Sequence, residues 1–201
     1  MEQTICVFGD SIVWGAWDIE KGGWVSRLRN YFESNNYDIR FYNCGICGEN
    51  TDDLLKRFKV EANSREPTII IFAIGINDSQ YINSKNNPRV TIKKFQNNLQ
   101  ELISQAKNFT NQIIFIGLSK VNESKTTPIS RNIIKFYDNE NIKLYDSKIK
   151  EICRKNNLQF IEIFDLLDNK DIDGDGLHPN SSGHEKMFLR VKDFLLSILN
   201  S

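Results

Sequence analysis

Four stretches of this chain hold the residue types that acyl-transfer chemistry requires. Gly9-Asp10-Ser11 follows an apolar run at residues 5–8, and Asn43-Cys44-Gly45-Ile46-Cys47-Gly48-Glu49-Asn50-Thr51 follows a second run at 39–42. Gly75-Ile76-Asn77-Asp78 closes a third run at 68–74, and Asp173-Gly174-Asp175-Gly176-Leu177-His178-Pro179 lies beyond a run at 160–164. A serine hydroxyl becomes a nucleophile only when a base takes its proton, and the chain has two histidines, His178 and His184. His184 opens a helical stripe within Ser182-Gly183-His184-Glu185-Lys186, where an exposed or capping imidazole is expected. His178 is the better base. It follows Asp175 by three residues in a glycine-rich turn held by Pro179, a spacing that can bring the carboxylate to Nδ1 and leave Nε2 facing the serine. The Ser11 amide, a glycine amide after the second run and the Asn77 carboxamide could donate to a developing oxyanion. Taken singly, Gly-Asp-Ser is ordinary turn chemistry and a buried asparagine ordinarily satisfies loop backbone. Their convergence is what points to a site.

Whether they converge depends on the elements between them. Residues 5–8, 39–42, 68–74, 113–118 and 160–164 are short runs rich in β-branched and aromatic side chains and read as five strands. Between and after them lie stripes of helical period: Trp24, Leu28, Tyr31 and Phe32; Leu54, Leu55 and Phe58; Ile92, Phe95, Leu99, Leu102 and Ala106; Ile142, Tyr145, Ile149 and Ile152; and Met187, Val191, Phe194, Leu195 and Ile198. Strands apolar on both faces that alternate with helices predict a parallel sheet covered on both sides by right-handed crossovers. The expected architecture is a three-layer, flavodoxin-like α/β fold with a five-stranded parallel sheet, as one domain over residues 1–201. Such sheets bind ligands outside the carboxyl ends of their strands, where the four stretches fall.

Composition narrows the partners. The 201 residues carry 26 basic and 26 acidic side chains, so no polyanion is favoured and nucleic acid is not an expected partner. No stretch approaches the ~20 apolar residues of a membrane span, and the start lacks the pattern of a signal peptide, so no stable membrane insertion and a cytoplasmic location are expected. The sequence is silent on oligomeric state. Cys44 and Cys47 form one C-x-x-C, while Cys6 and Cys153 stand apart in apolar surroundings, a pattern that reads as free thiols rather than a zinc site or redox pair. Asp171, Asp173, Asp175 and Gly176 match the opening of a calcium loop, but Ser182 stands where its closing glutamate belongs, so no metal is expected.

At these residues the chain resembles the SGNH hydrolases, also called the GDSL esterase and lipase family. The blocks match in order: Gly9-Asp10-Ser11, Asn43-x-Gly45-x-x-Gly48, Gly75-x-Asn77-Asp78 and Asp175-x-x-His178-Pro179. The resemblance runs from residue 5 to about residue 190 and is least defined between 119 and 141. It implies Ser11 as nucleophile, His178 as base and Asp175 as its orienter, with Ser11, Gly48 and Asn77 as oxyanion donors. Of two glycines, Gly48 is the family's donor, being the later one ahead of a threonine such as Thr51. Asp10 and Trp14 are assigned to substrate contact. Cys47 stands where small polar residues are common in the family, and Trp14 where the family is usually less bulky. The implied activity is hydrolysis of small acyl esters through an acyl-enzyme, with no metal or organic cofactor. Carbohydrate O-acetylesterase, thioesterase or lysophospholipase, and O-acyltransferase are alternatives on the same fold. The rival from another class is a non-catalytic flavodoxin-like binding domain, although neither G-x-G-x-x-G nor a P-loop pattern occurs. At least one of Trp14 and Trp17 is expected to line and fill the pocket, favouring short acyl groups. Residues 119–141, a long polar connection with Pro128 and a short apolar patch at Ile133, Ile134 and Phe136, are expected to form a wall or lid over the site, or a plain surface loop.

Overall fold

The computed structural model describes residues 3–85 and 87–199. Its central strand β1 (Gln3–Gly9) is apolar on both faces, and Ile5, Cys6, Val7 and Phe8 are all fully buried. Beside it lie β2 (Ile39–Gly45) and β3 (Ile69–Ala73), which alternate in sequence with the helices α1 (Ser11–Trp14), α2 (Trp24–Ser34) and α3 (Thr51–Arg65). The chain continues through β4 (Tyr81–Ile82), α4 (Ile92–Ala106), β5 (Ile113–Ile116), α5 (Glu123–Thr126), β6 (Lys135–Phe136), α6 (Asn139–Asn156), β7 (Gln159–Ile161) and α7 (Ser181–Leu199).

The main sheet is parallel with order β2-β1-β3-β5-β7, so the five expected strands and the flavodoxin-like fold class are present. On one face α2 packs against α7, and on the other α3, α4 and α6 form a row. The helices do this because each keeps one apolar stripe: in α4, Phe95, Leu99, Leu102, Ile103 and Ala106 are buried, and in α6, Ile142, Tyr145, Ile149 and Ile152 are. Asn50 and Asp138 cap α3 and α6 by accepting from Asp53 and Asn141 amides at 3.1 and 2.8 Å. The tilted and edge-on rings of Phe8, Phe58, Phe72 and Phe115, with neighbouring centroids 4.9–6.0 Å apart, join sheet and α3 into one core.

Strand order decides where a ligand fits. The connection from β1 leads outward to β2 on one side, whereas β3 returns to the other side of β1, so the loops after β1 and β3 diverge to opposite faces and leave a crevice between them. Ser11 follows β1 and Asn77 follows β3. Close approach of α1 to the strand ends requires glycine: a Cβ on Gly9 would lie 2.3 Å from Val13 Cγ2, and one on Gly45 would lie 2.3 Å from the Trp14 amide nitrogen.

Two features depart from the expectations. Residues 119–141 supply the expected wall of the site, through Ile129, Arg131, Asn132, Lys135 and Tyr137, but not as a plain loop. They form α5, and β6 then pairs antiparallel with β4 in a second, two-stranded sheet that the apolar periodicity did not predict. Ile129 and Tyr137 are buried in this segment, while Ile133 and Ile134, its expected apolar patch, are exposed. His184 is not exposed. It is fully buried, accepting the Trp24 amide proton at Nδ1 (3.3 Å) and donating from Nε2 to the Ala16 carbonyl (3.0 Å), so it stitches α7 to the loop before α2. Burial lowers its pKa, against the pull of the Ala16 carbonyl.

Candidate active site

Ser11 sits at the first position of α1, where helix amides have no intrahelical partner. The Asp10 carboxylate caps the helix by accepting from the Ile12 amide at 2.9 Å, and among the described residues the Ser11 amide has no acceptor. Asp10 is therefore placed differently from a substrate-contacting group: it is buried beneath α1 and does not line the cleft. Burial pushes its pKa up to about 6, against the Ile12 amide and the His178 charge, which favour the ionised form.

His178 arrives from a turn closed by hydrogen bonds from the Gly176 amide to the Asp173 carbonyl (3.0 Å) and from the Asp173 amide to the His178 carbonyl (2.8 Å). Its Nε2 is 2.7 Å from Ser11 Oγ and its Nδ1 is 2.6 Å from Asp175 Oδ2. One tautomer satisfies both contacts, with the proton on Nδ1 directed at Asp175 and the Nε2 lone pair accepting from the serine hydroxyl. The other carboxylate oxygen accepts the Leu177 and His178 amides at 2.9 and 3.0 Å. Burial opposes the charge of Asp175, but the hydrogen bonds from His178 and the Leu177 amide outweigh it and hold the carboxyl well below the usual range.

A further donor, the Trp17 indole, lies 3.0 Å from Asp175 Oδ2 and 3.2 Å from His178 Nδ1. Because that imidazole nitrogen already directs its proton at Asp175, the carboxylate is the acceptor for the indole. Trp17 has φ +67°, an uncommon conformation for so large a residue, so tertiary contacts must hold it there. Asp18, next in the chain, does much of this. It accepts from Arg27 Nε and the Gly23 amide, both at 2.9 Å, and from the Ser181 hydroxyl at 2.8 Å, while Arg27 also binds Glu185. Burial works against the Asp18 charge, yet Arg27 and these donors keep its pKa well below the ordinary carboxylate value.

The remaining groups come from the loops after β2 and β3. Gly48, at φ +79°, has no acceptor for its amide among the described residues, and its carbonyl accepts from Arg89 at 2.8 Å. Asn77 Nδ2 donates to the Glu49 carbonyl at 2.9 Å, while its Oδ1 accepts from the Tyr137 hydroxyl at 2.7 Å. The phenol thereby fixes which end of the amide is which, and one Nδ2 proton stays uncommitted. Asp78 ties the two loops together by accepting from the Thr51 amide at 3.1 Å and from the Thr51 hydroxyl. Burial pushes its pKa up to about 7, although both Thr51 donors favour the charge. Arg57 braces the same region, donating to Glu49 at 2.8 Å and to the Cys44 and Gly9 carbonyls at 2.9 and 3.3 Å.

Ser11, Gly48, Asn77 and His178 thus line one cleft of about 660 Å³. Trp14 and Trp17 line it too, but at 58% and 46% exposure they form its rim rather than filling it. Cys44 is buried and Cys47 exposed on the cleft wall, and both are free thiols. Among the described residues no group of three His, Cys, Asp or Glu side chains converges as metal ligands do: Asp171 is bound to Lys186 and Ser182, while Asp175 is bound to His178. Sequence reasoning missed Tyr137, Arg57 and the donor role of Trp17. The partners of Tyr137 and Trp17 lie 60 and 158 residues away, so no local spacing signalled them, whereas Arg57 stood eight residues from Glu49 and Asp78 beside Asn77 without a role.

The sheet order and the placement of these groups at its switch point define an α/β protein of hydrolase architecture, and solved structures share it. The psychrotrophic esterase EstA from Pseudoalteromonas sp. superposes with a TM-score of 0.78 at 21% identity, covering 99% of this chain and 100% of that one. An acetylxylan esterase from Geobacillus stearothermophilus gives 0.73 at 19% identity, covering 94% and 92%. At such identities the likeness is one of fold. Residues 7–186 match the GDSL-like lipase/acylhydrolase family, and the chain belongs to that family. A GDSL esterase/lipase of Arabidopsis thaliana is 25% identical over 178 residues, 85% of this chain and 55% of that protein. The chain spans about half the length of the curated relatives it matches, 44% of one and 55% of the other. No described helix is long and apolar enough to cross a membrane.

Proposed function

We propose that the protein is a serine hydrolase that cleaves small carboxylic esters through an acyl-enzyme on Ser11. The observation that carries this reading is the continuous chain from Ser11 Oγ to His178 Nε2 (2.7 Å) and from His178 Nδ1 to Asp175 Oδ2 (2.6 Å), opening into a cleft. Ser11 Oγ attacks the ester carbonyl carbon as Nε2 takes its proton, and the Asp175 carboxylate stabilises the resulting imidazolium and holds its orientation. The negative charge that moves onto the carbonyl oxygen is met by the Ser11 and Gly48 amides and the free Nδ2 proton of Asn77. Collapse breaks the ester bond, and the leaving alkoxide takes the proton from Nε2. Water then attacks the acyl-enzyme by the same steps, with His178 again as base, releasing the acid and restoring Ser11. The chemistry needs only groups that the chain supplies.

A fluorophosphonate should label Ser11 covalently, as peptide mass spectrometry would locate, and Ser11→Ala and His178→Ala should each lower ester hydrolysis by several orders of magnitude while remaining folded. Wild-type turnover by a folded Ser11→Ala protein would refute the assignment. The cleft walls mix indole rings with amides and cations, which supports short acyl groups over long chains.

A further inference from the structure

We propose that the preferred substrate is an ester carrying a negative charge, such as a carboxylate, sulfate or phosphate, near the scissile bond, held by Lys135 and Arg131. The proposal rests on the hydrolase reading and names the substrate class of the same site. Although the chain holds equal numbers of basic and acidic residues, the cleft wall includes Arg89, Arg131 and Lys135 and, among the described residues, no aspartate or glutamate. That imbalance belongs to the cleft and not to the chain.

Of the three cations Lys135 is uncommitted and Arg131 is only weakly engaged. Arg89 is occupied by the Gly48 carbonyl at 2.8 Å and by Asp53 at 3.3 Å. Arg131 reaches only Asp175 Oδ2, at a long 3.5 Å, and that oxygen already receives the shorter contacts of His178 and Trp17. The Lys135 ammonium has no ion pair or hydrogen bond among the described residues. Nor do these side chains hang from a loose loop. The Ile129 amide donates to the Lys135 carbonyl and the Lys135 amide to the Asn132 carbonyl, at 2.9 and 3.0 Å, while Lys135 pairs in register with Ile82 across the small sheet. Solvated lysines on a convex surface attract little, but fixed cations of one sign in a low-dielectric concavity focus their field on whatever enters it. An anionic group bound there lies on the Tyr137 side of the cleft, away from the Asp10 cap, and the β4–β6 sheet acquires a role: it sets the position of the charges.

The test compares two matched pairs of esters, each kcat/KM divided by that ester's alkaline hydrolysis rate. The acetate of hydroxybenzoate against that of hydroxybenzamide places the charge on the leaving group, and nitrophenyl hemisuccinate against nitrophenyl butyrate places it on the acyl group. In at least one pair the wild type should favour the anion by roughly fivefold or more at low salt, falling toward parity in about half-molar salt. Which pair responds tells which side of the bond carries the charge. Lys135→Glu should remove or invert the preference, and Arg131→Gln should reduce it; reading the ratio cancels any loss common to both esters. Parity in both pairs with active wild-type protein, or a ratio untouched by Lys135→Glu, overturns the proposal and leaves the hydrolase reading standing. Folded wild-type protein that cleaves none of the four esters overturns both.

Discussion

Tyr137→Phe removes one oxygen from the interior and tests how the Asn77 amide is aimed. The phenol and Asn77 are both buried, and their 2.7 Å hydrogen bond is the partner that the structure provides for Asn77 Oδ1. Deleting it leaves a buried acceptor unsatisfied, at a stability cost of about 1–3 kcal/mol. The catalytic effect has a ceiling, because losing an oxyanion donor altogether costs about 10²–10³ in kcat. In the phenylalanine variant Nδ2 keeps its 2.9 Å bond to the Glu49 carbonyl, so the amide retains one of two anchors. We expect about a tenfold fall in kcat, equivalent to about 1.4 kcal/mol of transition-state stabilisation, with little change in KM. Steady-state kinetics on a nitrophenyl acetate for wild type, Tyr137→Phe, Asn77→Ala and the double variant close the cycle. If Tyr137 acts through Asn77, its replacement costs nothing further in kcat once Asn77 is alanine. Two independent losses that multiply in the double variant, or an unchanged kcat beside a lowered melting temperature, would refute the reasoning.

Asp10→Asn should stabilise the protein at neutral pH. The wild-type carboxyl, held near 6 in place of 3.8, gives a contribution fully present below pH 3.8 and lost as pH rises through 6, up to about 3 kcal/mol, whereas asparagine caps α1 without a charge. Thermal melts from pH 4 to 8 should show the variant's advantage growing across that window, and an advantage independent of pH would contradict it. Arg27→Met leaves the Asp18 carboxylate buried without its cation and should cost about 3–5 kcal/mol, read by urea unfolding. A loss below about 1 kcal/mol would mean that Ser181 and the Gly23 amide suffice. Trp14→Ala, at an exposed position on the cleft rim, should change stability by no more than about 0.5 kcal/mol while moving the preferred acyl chain towards longer esters. An unmoved chain-length profile would take Trp14 out of substrate contact.

Much of this protein was legible in its sequence by itself. Residues 5–8 read as a buried strand, since four consecutive apolar side chains need cover on both faces, and the stripes around Phe95 and Tyr145 read as helices with one buried face. Ser11 and Asn77 were legible because each follows the end of a strand whose periodicity marks where it stops, and the Asp175-to-His178 turn because its three-residue spacing is local. What lay beyond reach depended on partners brought together through the fold. The placement of β1 between β2 and β3, which opens the crevice, follows from packing the whole sheet and is written in no single strand. His184 is buried because α7 lands on the Ala16 carbonyl, although its place at the start of the last helix reads as that of an exposed or capping imidazole. Asp10 lies beside Ser11 in sequence, yet it turns inward because the first amides of α1 need an acceptor. Tyr137, Trp17 and Lys135 acquire their places only when strands of two residues pair across the chain and a tryptophan takes a left-handed conformation. Short-range periodicity encodes elements and their ends; the hydrogen bonds that orient the groups at those ends are made at long sequence separation, and they exist only once the tertiary structure has formed.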